Sequence, residues 1–273
     1  MRDRLKQLSV ALVLVLVAGG TLAACSDDKG DNGVGESSGD TLTKSNFFEE
    51  VIAAQSKAGT SHVDMSIDVA GQAVKAAGDM KVGDSAADTA MSMTMETGQS
   101  GMGSLEMRLV DEVFYLNFGP MTSNKFAQID LNDESNPIGK QFGDIIGNLD
   151  PSQQFKEFED AVTSFEQKGE AIELDGVQAQ PYRLTVDTSK IPNAEQADGS
   201  LPKSLAYTMY IGPDNLPRRM VSDVPDVGGT GGGTMTINYS QWGEDVTIAK
   251  PKESEITDKD FFSQLGGAAE EQS

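Results

Sequence analysis

The chain has 273 residues and a strongly acidic composition, with 43 Asp or Glu against 21 Lys or Arg and a formal net charge of -22. Its single Cys cannot form an internal disulfide, and one Cys with one His cannot complete a zinc site, so we expect no metal and no cofactor. The low content of Lys and Arg argues against a nucleic-acid partner, because phosphate contacts need clustered cations. With 38% hydrophobic residues, the chain can still build the core of one or two domains.

The first 24 residues have the composition of an export signal. They have a net charge of +2, so the remainder of the chain is at -24. Leu8–Ala18 is an apolar run that is too short to span a bilayer but is typical of a signal-peptide core. We therefore predict that residues 1–24 are a signal peptide.

The sequence Leu22-Ala23-Ala24-Cys25 resembles a bacterial lipobox. In that motif small residues precede a Cys whose thiol receives a diacylglyceryl group, and the only Cys of the chain stands at this position. The alternative is an ordinary secretory signal followed by an incidental Cys. Lipidation at Cys25, with a further N-acyl chain, would supply the two chains that stable anchoring requires. We predict an anchor on the extracytoplasmic side of the cell membrane.

The remaining chain divides by composition into three parts. Residues 25–42 are polar and rich in Gly, Ser and Asp, which predicts a flexible lipidated tether. Residues 43–262 contain the periodic apolar patterns of a folded domain, and residues 263–273 form a short tail without periodicity.

The folded part begins with one helical pattern and continues mainly as strands. Apolar residues at helical spacing predict a helix over Thr43–Ala58, with Thr43 as N-cap and Gly59 at its end. Residues 137–165 show helical spacing again and are predicted as two helices that form a lid. Alternating patterns predict antiparallel strands at residues 62–70, 73–82, 90–97, 105–109, 113–118, 125–131, 171–174, 179–187, 205–211, 218–224, 234–239 and 246–248.

Catalytic constellations are hard to assemble from this sequence. The only His, His62, lies on the polar side of a predicted strand, where a solvent-exposed histidine is the ordinary reading. The Gly-rich stretch 228–233 lacks the Gly-Lys-Ser/Thr of a phosphate loop and is better read as a hairpin connection. We therefore expect that the protein is not an enzyme.

Methionines recur on the apolar side of the predicted strands, where Val, Ile and aromatic residues are the usual choice. A flexible, polarizable Met surface suits irregular apolar ligands, although each of these residues alone could simply fill a core. If the helices do not cover the whole apolar face, the remainder lines a cavity. The residues concerned are Met65, Met91, Met93, Met95, Met107, Met209 and Met235.

Together the lipobox, the polar tether, the opening Leu42-Thr43-Lys44-Ser45-Asn46-Phe47 and the closing Tyr239-Ser240-Gln241-Trp242-Gly243 resemble the LppX/LprG/LprA/LprF group of actinobacterial lipoproteins. This resemblance implies an α+β, LolA/LolB-like fold, in which a large curved antiparallel β-sheet forms a half-barrel with a few helices on its concave side. It also implies a hydrophobic cavity that takes acyl chains of lipids or glycolipids and carries them between membranes.

We accordingly expect a cell-envelope lipoprotein that binds and carries lipid, with a membrane transporter as a candidate partner. The alternative is an envelope sensor or scaffold domain that binds a protein and no lipid. The residues predicted to line the cavity are Met65, Ile67, Met93, Met107, Phe114, Leu116, Phe118, Leu184, Tyr207, Met209, Met235 and Ile237.

Overall fold

An open antiparallel sheet forms the body of the protein in a computed structural model, which describes residues 42–69, 72–83, 88–96, 104–133, 159–190, 202–224 and 232–257. Cys25, the tether, most of the predicted lid and the C-terminal tail lie outside these residues. In chain order the strands are β1 (Thr60–Val69), β2 (Gln72–Lys81), β3 (Ala90–Glu96), β4 (Ser104–Val110), β5 (Val113–Asn117), β6 (Ala127–Asp130), β7 (Val162–Gln167), β8 (Ile172–Leu174), β9 (Val177–Asp187), β10 (Ser204–Ile211), β11 (Pro217–Val224) and β12 (Gly233–Ser240).

The strand order shows two meanders joined through one pair of strands. The sheet runs β6-β5-β4-β3-β2-β1-β12-β11-β10-β9-β7, and β8 pairs with β9 outside this path. The two halves meet where β1 pairs with β12, from His62 opposite Ser240 to Val69 opposite Gly233. Most strands that are neighbours in the sheet are also consecutive in the sequence, as expected for antiparallel sheets. The prediction of a large antiparallel sheet is confirmed.

The helix α1 (Phe47–Ala58) begins later than its apolar spacing predicted. Asn46 precedes it, and the Asn46 Oδ1 atom accepts hydrogen bonds from the Thr43 backbone N–H at 2.6 Å and the Thr43 hydroxyl at 2.8 Å. These bonds fold Thr43 into a turn, so the prediction of Thr43 as N-cap is wrong. Gly59 ends the helix with φ +74°, a left-handed conformation that glycine adopts without steric cost.

The second predicted lid helix is helical at residues 159–161, but strand β7 replaces it from Val162 onward. Val162 and Phe165 stand three residues apart, which suggested helical spacing, but they pair with Val186 and Leu184 of β9. A β-bulge between Val162 and Ser164 inserts one extra residue and brings two side chains at i and i+3 to the same face. A bulged strand thus imitates the apolar spacing of a helix. Residues 137–158 of the predicted lid lie outside the described residues.

The prediction of a strand at residues 246–248 is also wrong. After β12 the chain leaves the sheet, and the Gly243 N–H donates to the Thr60 carbonyl at 3.1 Å. Farther on, Arg108 donates to the Ala249 carbonyl at 3.3 Å, and the Phe126 N–H donates to the Glu255 carbonyl at 2.7 Å. This segment therefore passes the ends of the first strands and bonds beside the β6 edge, which protects that edge from further pairing.

A glycine substitution tests the close approach of β2 to β3. A Cβ atom at Gly78 would lie 2.8 Å from the Met93 Cα atom and closer still to the Ser92 carbonyl oxygen. We expect Gly78→Ala to lower the free energy of unfolding by about 1–3 kcal/mol because the two backbones must move apart. Urea denaturation measures this change. Ala77→Ser, on the exposed side of the same strand, is the control and should stay within about 0.5 kcal/mol; equal effects of the two would contradict the steric account.

Candidate apolar binding face

Strand register places the predicted ligand-binding side chains on one face of the sheet. Residues paired across an antiparallel ladder project to the same side, so each row of pairs defines a line of neighbouring side chains. The central row crosses seven strands and is dominated by methionine. In order across the sheet its members are Met95, Ala76, Met65, Ile237, Met220, Met209 and Tyr182. We call the side of the sheet that carries this row the inner face.

The flanking rows complete the inner face. One row passes from Leu116 through Met107 and Met93 to Gly78 and Val63, and the Phe114 side chain lies one pair further along β5. On the other side of the central row, the register joins Ile67, Met235, Ser222, Tyr207, Leu184 and Phe165. Phe118, which follows β5, packs against the same apolar group. All the predicted lining residues therefore share the inner face.

The inner face contains two packed clusters. The first, here called the methionine cluster, spans β1–β6 and β12; its predicted lining residues are the buried Met65, Met93, Phe114, Met235 and Ile237 and the half-buried Ile67, Met107, Leu116 and Phe118. The second, the helix cluster, holds the buried Leu184 and Tyr207 with the half-buried Met209. Met220 packs against both clusters and connects them.

Aromatic rings fix α1 to the helix cluster. Phe47 is fully buried, with its ring centroid 5.1 Å from that of Phe165 and 5.5 Å from that of Tyr182. Phe165 and Tyr182 are themselves stacked with a centroid distance of 5.6 Å. Val51, one turn along the helix, belongs to the same cluster. The sequence showed this helix but gave no signal that it docks on the β7–β10 half of the sheet.

The methionine cluster has a different cover. Within the residues that the structure describes, none of its members lies on α1. All of them lie on strands or on the turns beside strands. Several of its side chains, including Ile67 and Met107, are only half-buried. The described part of the chain thus has a helix over one half of the inner face and none over the other.

A groove of about 300 Å³ lies near β1, β2 and β3, and six of its nine lining residues are polar. Its lining residues include Asp64, Ser66, Lys75, Thr94 and Glu96, which alternate with the apolar positions and so belong to the outer face. This groove is therefore not the apolar cavity that the sequence predicted. The inner face is instead occupied by its own packed side chains.

Three tyrosines on the inner face have raised pKa values. Burial raises the pKa of Tyr207 and of Tyr239 to about 12, because the phenolate would lose its hydration. Tyr182 has its pKa raised by burial too, although a hydrogen bond with the Leu42 backbone opposes this. The Tyr207 hydroxyl is buried without a hydrogen-bond partner in the described part of the chain.

Two polar arrangements outside the inner clusters have structural roles. Arg218 is buried, and its Nη2 atom donates to the Asp214 carboxylate at 2.5 Å, which holds the turn between β10 and β11. His62 is less exposed than the sequence suggested, since its ring lies between Asp79, at 2.6 Å, and Asp64, at 3.6 Å. No group of three metal-ligating side chains occurs among the described residues.

The α+β architecture, an open antiparallel sheet with a helix on its apolar face, agrees with the fold that the sequence resemblance implied. Among solved structures, the protein is similar to the lipoprotein LppX of Mycobacterium tuberculosis, with 14% identity over 76% of this chain and 98% of LppX and a TM-score of 0.50. This likeness shows a shared fold. Within the described residues, no helix has the length and apolarity needed to cross a bilayer.

Two further solved structures match with lower TM-scores. LprF of Mycobacterium bovis matches with 17% identity over 76% of this chain and 96% of LprF, at a TM-score of 0.49. The MucA/MucB complex of Pseudomonas aeruginosa matches with 13% identity over 80% of this chain and 62% of the matched chain, at a TM-score of 0.37. No family model and no curated protein matches the sequence.

Alkaline titration should reveal the buried phenols. A tyrosine is deprotonated near pH 10 in the unfolded chain but near 12 at Tyr207 and Tyr239, so ionisation of these phenols opposes folding only above pH 10. Stability therefore falls as the pH rises from 10 to 12, and we expect a loss on the order of 2 kcal/mol for Tyr207. Denaturant unfolding at stepped pH, compared with Tyr207→Phe, measures it. The variant should lose less stability over this interval; an identical loss would place the hydroxyl in water.

Proposed function

We propose that the protein is a cell-envelope lipoprotein that binds the acyl chains of a lipid or glycolipid on its inner face and carries them between the membrane and the envelope. The proposal rests on one observation, the continuous methionine-rich row that joins β3 to β9 across both halves of the sheet. An apolar surface of this extent exceeds what one helix of 12 residues covers.

Apolar burial provides the driving force for binding. Each CH₂ group moved from water to an apolar surface contributes about 0.8 kcal/mol, so a long acyl chain gains several kilocalories even after ordering costs. The buried side chains Met65 and Ile237 must part to admit a chain, since they now pack against their neighbours. Methionine suits this exchange because its unbranched thioether changes conformation at little cost.

Anchoring through Cys25 would keep the domain at the extracytoplasmic side of the cell membrane. Sixteen residues lie between Cys25 and Leu42, where the described domain begins, and a fully extended chain between these two residues spans at most about 60 Å. The net charge of -24 beyond the signal peptide repels anionic headgroups. Attachment therefore depends on the acyl anchor, while the acidic surface keeps the domain free to move above the bilayer.

No acid, base and nucleophile converge on the inner face within the described residues, which supports a binding protein over an enzyme. A role as lipid carrier also explains why Met107, Ile67 and Met209 are only half-buried on the inner face.

The alternative function is an envelope scaffold or sensor that binds a protein instead of a lipid, and it is expected if no acyl ligand is found. For a lipid carrier, the candidate partner is a membrane transporter that receives the carried lipid.

Lipidation is tested by growing cells with an alkyne-tagged fatty acid. We expect the wild-type protein to become labelled and Cys25→Ser to lose the label completely, because the thiol is the acceptor of the diacylglyceryl group. Ser26→Ala, which alters the neighbouring side chain, is the control and should be labelled like the wild type. An unlabelled wild-type protein of mature size would indicate the ordinary secretory signal.

Lipid binding is tested by native mass spectrometry of protein extracted gently from its own membranes. We expect stoichiometric lipid on the wild type. Met107→Gln and Met209→Gln, which keep the side-chain length but place an amide against the acyl chain, should each lower the lipid-bound fraction severalfold, since a buried amide without a partner costs about 1–3 kcal/mol.

The matched controls are Met107→Leu and Met209→Leu, which preserve the apolar surface and should retain lipid. Thermal unfolding of all four variants verifies that they remain folded. Lipid-free wild-type protein, or equal lipid loads in the Gln and Leu variants, would contradict the proposal.

A further inference from the structure

The Tyr207 hydroxyl is a buried polar group on the inner face that stabilises no other described part of the fold through a hydrogen bond. The residue is only 6% exposed, and its Oη atom has no hydrogen-bond partner in the described part of the protein. Buried hydroxyl groups are nearly always hydrogen-bonded, because an unpaired one keeps the full penalty of leaving water. A tyrosine at such a position therefore calls for an acceptor that the described part of the chain does not supply.

The neighbours of Tyr207 do not provide that acceptor. The residue belongs to the helix cluster, whose buried members are apolar or aromatic. Ser222, its partner on β11, directs its own hydroxyl to the Ala206 carbonyl at 3.3 Å. The Tyr182 hydroxyl oxygen, on the next strand, differs in having the Leu42 backbone as a partner. Among these three side chains, Tyr207 is the one with a buried polar atom that lacks a hydrogen-bond partner in the described part of the chain.

The position of Tyr207 relates this donor to the proposed ligand. It stands in the row beside the methionine row, flanked by Leu184 on β9 and within two residues of the half-buried Met209. An acyl chain lying along Met220 and Met209 would bring its oxygen-bearing end within reach of this row. The hydroxyl is a protonated donor at neutral pH, so it fits an oxygen acceptor.

The surroundings also select the kind of oxygen. The side chains that pack around Tyr207 in the helix cluster are apolar or aromatic, and the Lys44 ammonium beside Val162 of this cluster already donates to the Val162 carbonyl at 2.7 Å. An anionic carboxylate or phosphate at Tyr207 would therefore pay a high desolvation cost. An ester carbonyl is a strong acceptor without net charge. A plain hydrocarbon chain would leave the hydroxyl as unsatisfied as it is now.

We propose that Tyr207 is a specificity-determining residue whose hydroxyl donates a hydrogen bond to the ester carbonyl of a neutral acyl lipid bound on the inner face. This inference rests on the proposed lipid-binding function. It narrows the substrate class to acyl esters and predicts that the protein discriminates them from ether lipids of the same shape.

The test uses the purified, delipidated mature protein and displacement of the fluorescent probe N-phenyl-1-naphthylamine. The two competitors are dioctanoylglycerol, which has two ester carbonyls, and dioctylglycerol diether, which has none. We expect the wild type to bind the diester about 3- to 10-fold more tightly, the range that one hydrogen bond supplies. Tyr207→Phe should abolish this preference by weakening diester binding while leaving diether binding unchanged.

Tyr210→Phe is the matched control, because it makes the same change three residues along β10 on the opposite face. It should keep the wild-type preference. Thermal unfolding without lipid gives a second readout: Tyr207→Phe should raise Tm by about 2–4 °C, since it removes an unpaired buried hydroxyl, whereas Tyr210→Phe should not.

The outcomes separate this inference from the function on which it rests. An unchanged preference in Tyr207→Phe, or a lowered Tm of that variant, overturns the role of Tyr207 while lipid binding stands. Equal binding of the diester and the diether by the wild type also overturns the role of Tyr207 while lipid binding stands. Failure of both lipids to displace the probe from the wild type contradicts lipid binding itself, and the proposed role of Tyr207 falls with it.

Discussion

The pairing of β1 with β12 is the constraint on which the rest of the structure depends. Each half of the sheet is a meander whose strands pair mainly with their neighbours along the chain, and among the described strands this is the one pair that joins the two halves. Its register sets Met65 opposite Ile237 and Ile67 opposite Met235. A slip by one residue would turn the apolar side chains of one half toward solvent. The continuity of the inner face thus follows from a single strand pair.

The two halves of the inner face differ in the residue types that pack there. The helix half contains Phe47, Phe165 and Tyr182 in contact, and rings of this kind lose little conformational freedom when they pack. The other half relies on methionine, whose side chain adopts many conformations at similar energy. A rigid half that holds the helix thus lies beside an adaptable half on the same face.

Strand periodicity allowed most of the fold and the apolar face to be predicted from the sequence. Alternation at residues such as Met65, Ile67, Met93 and Met107 showed which side chains share a face, because the period of a strand is two and depends little on its surroundings. Whether these residues bind lipid stays a prediction. The resemblance to lipoproteins also anticipated the class of fold that LppX shows.

Features that depend on distant partners could not be predicted in this way. The bulge in β7 made Val162 and Phe165 look helical, and only the pairing with β9 resolves their spacing. The apolar spacing of residues 246–248 suggested a strand, but their segment bonds to Thr60 and Arg108 beyond the sheet ladder. The unused hydroxyl of Tyr207 has no sequence signal at all, since tyrosine is a common strand residue.

Tyr207 also shows how binding and stability oppose each other on this face. Phenylalanine would fill the same volume without the cost of an unpaired hydroxyl, and the strand pairing through Leu184 and Ser222 would not change. Proteins keep such costs where a bound partner offsets them, and binding to the folded state alone then returns the lost stability. Under the role proposed for Tyr207, its acceptor arrives with the lipid, and lipid occupancy is then coupled to the stability of the domain.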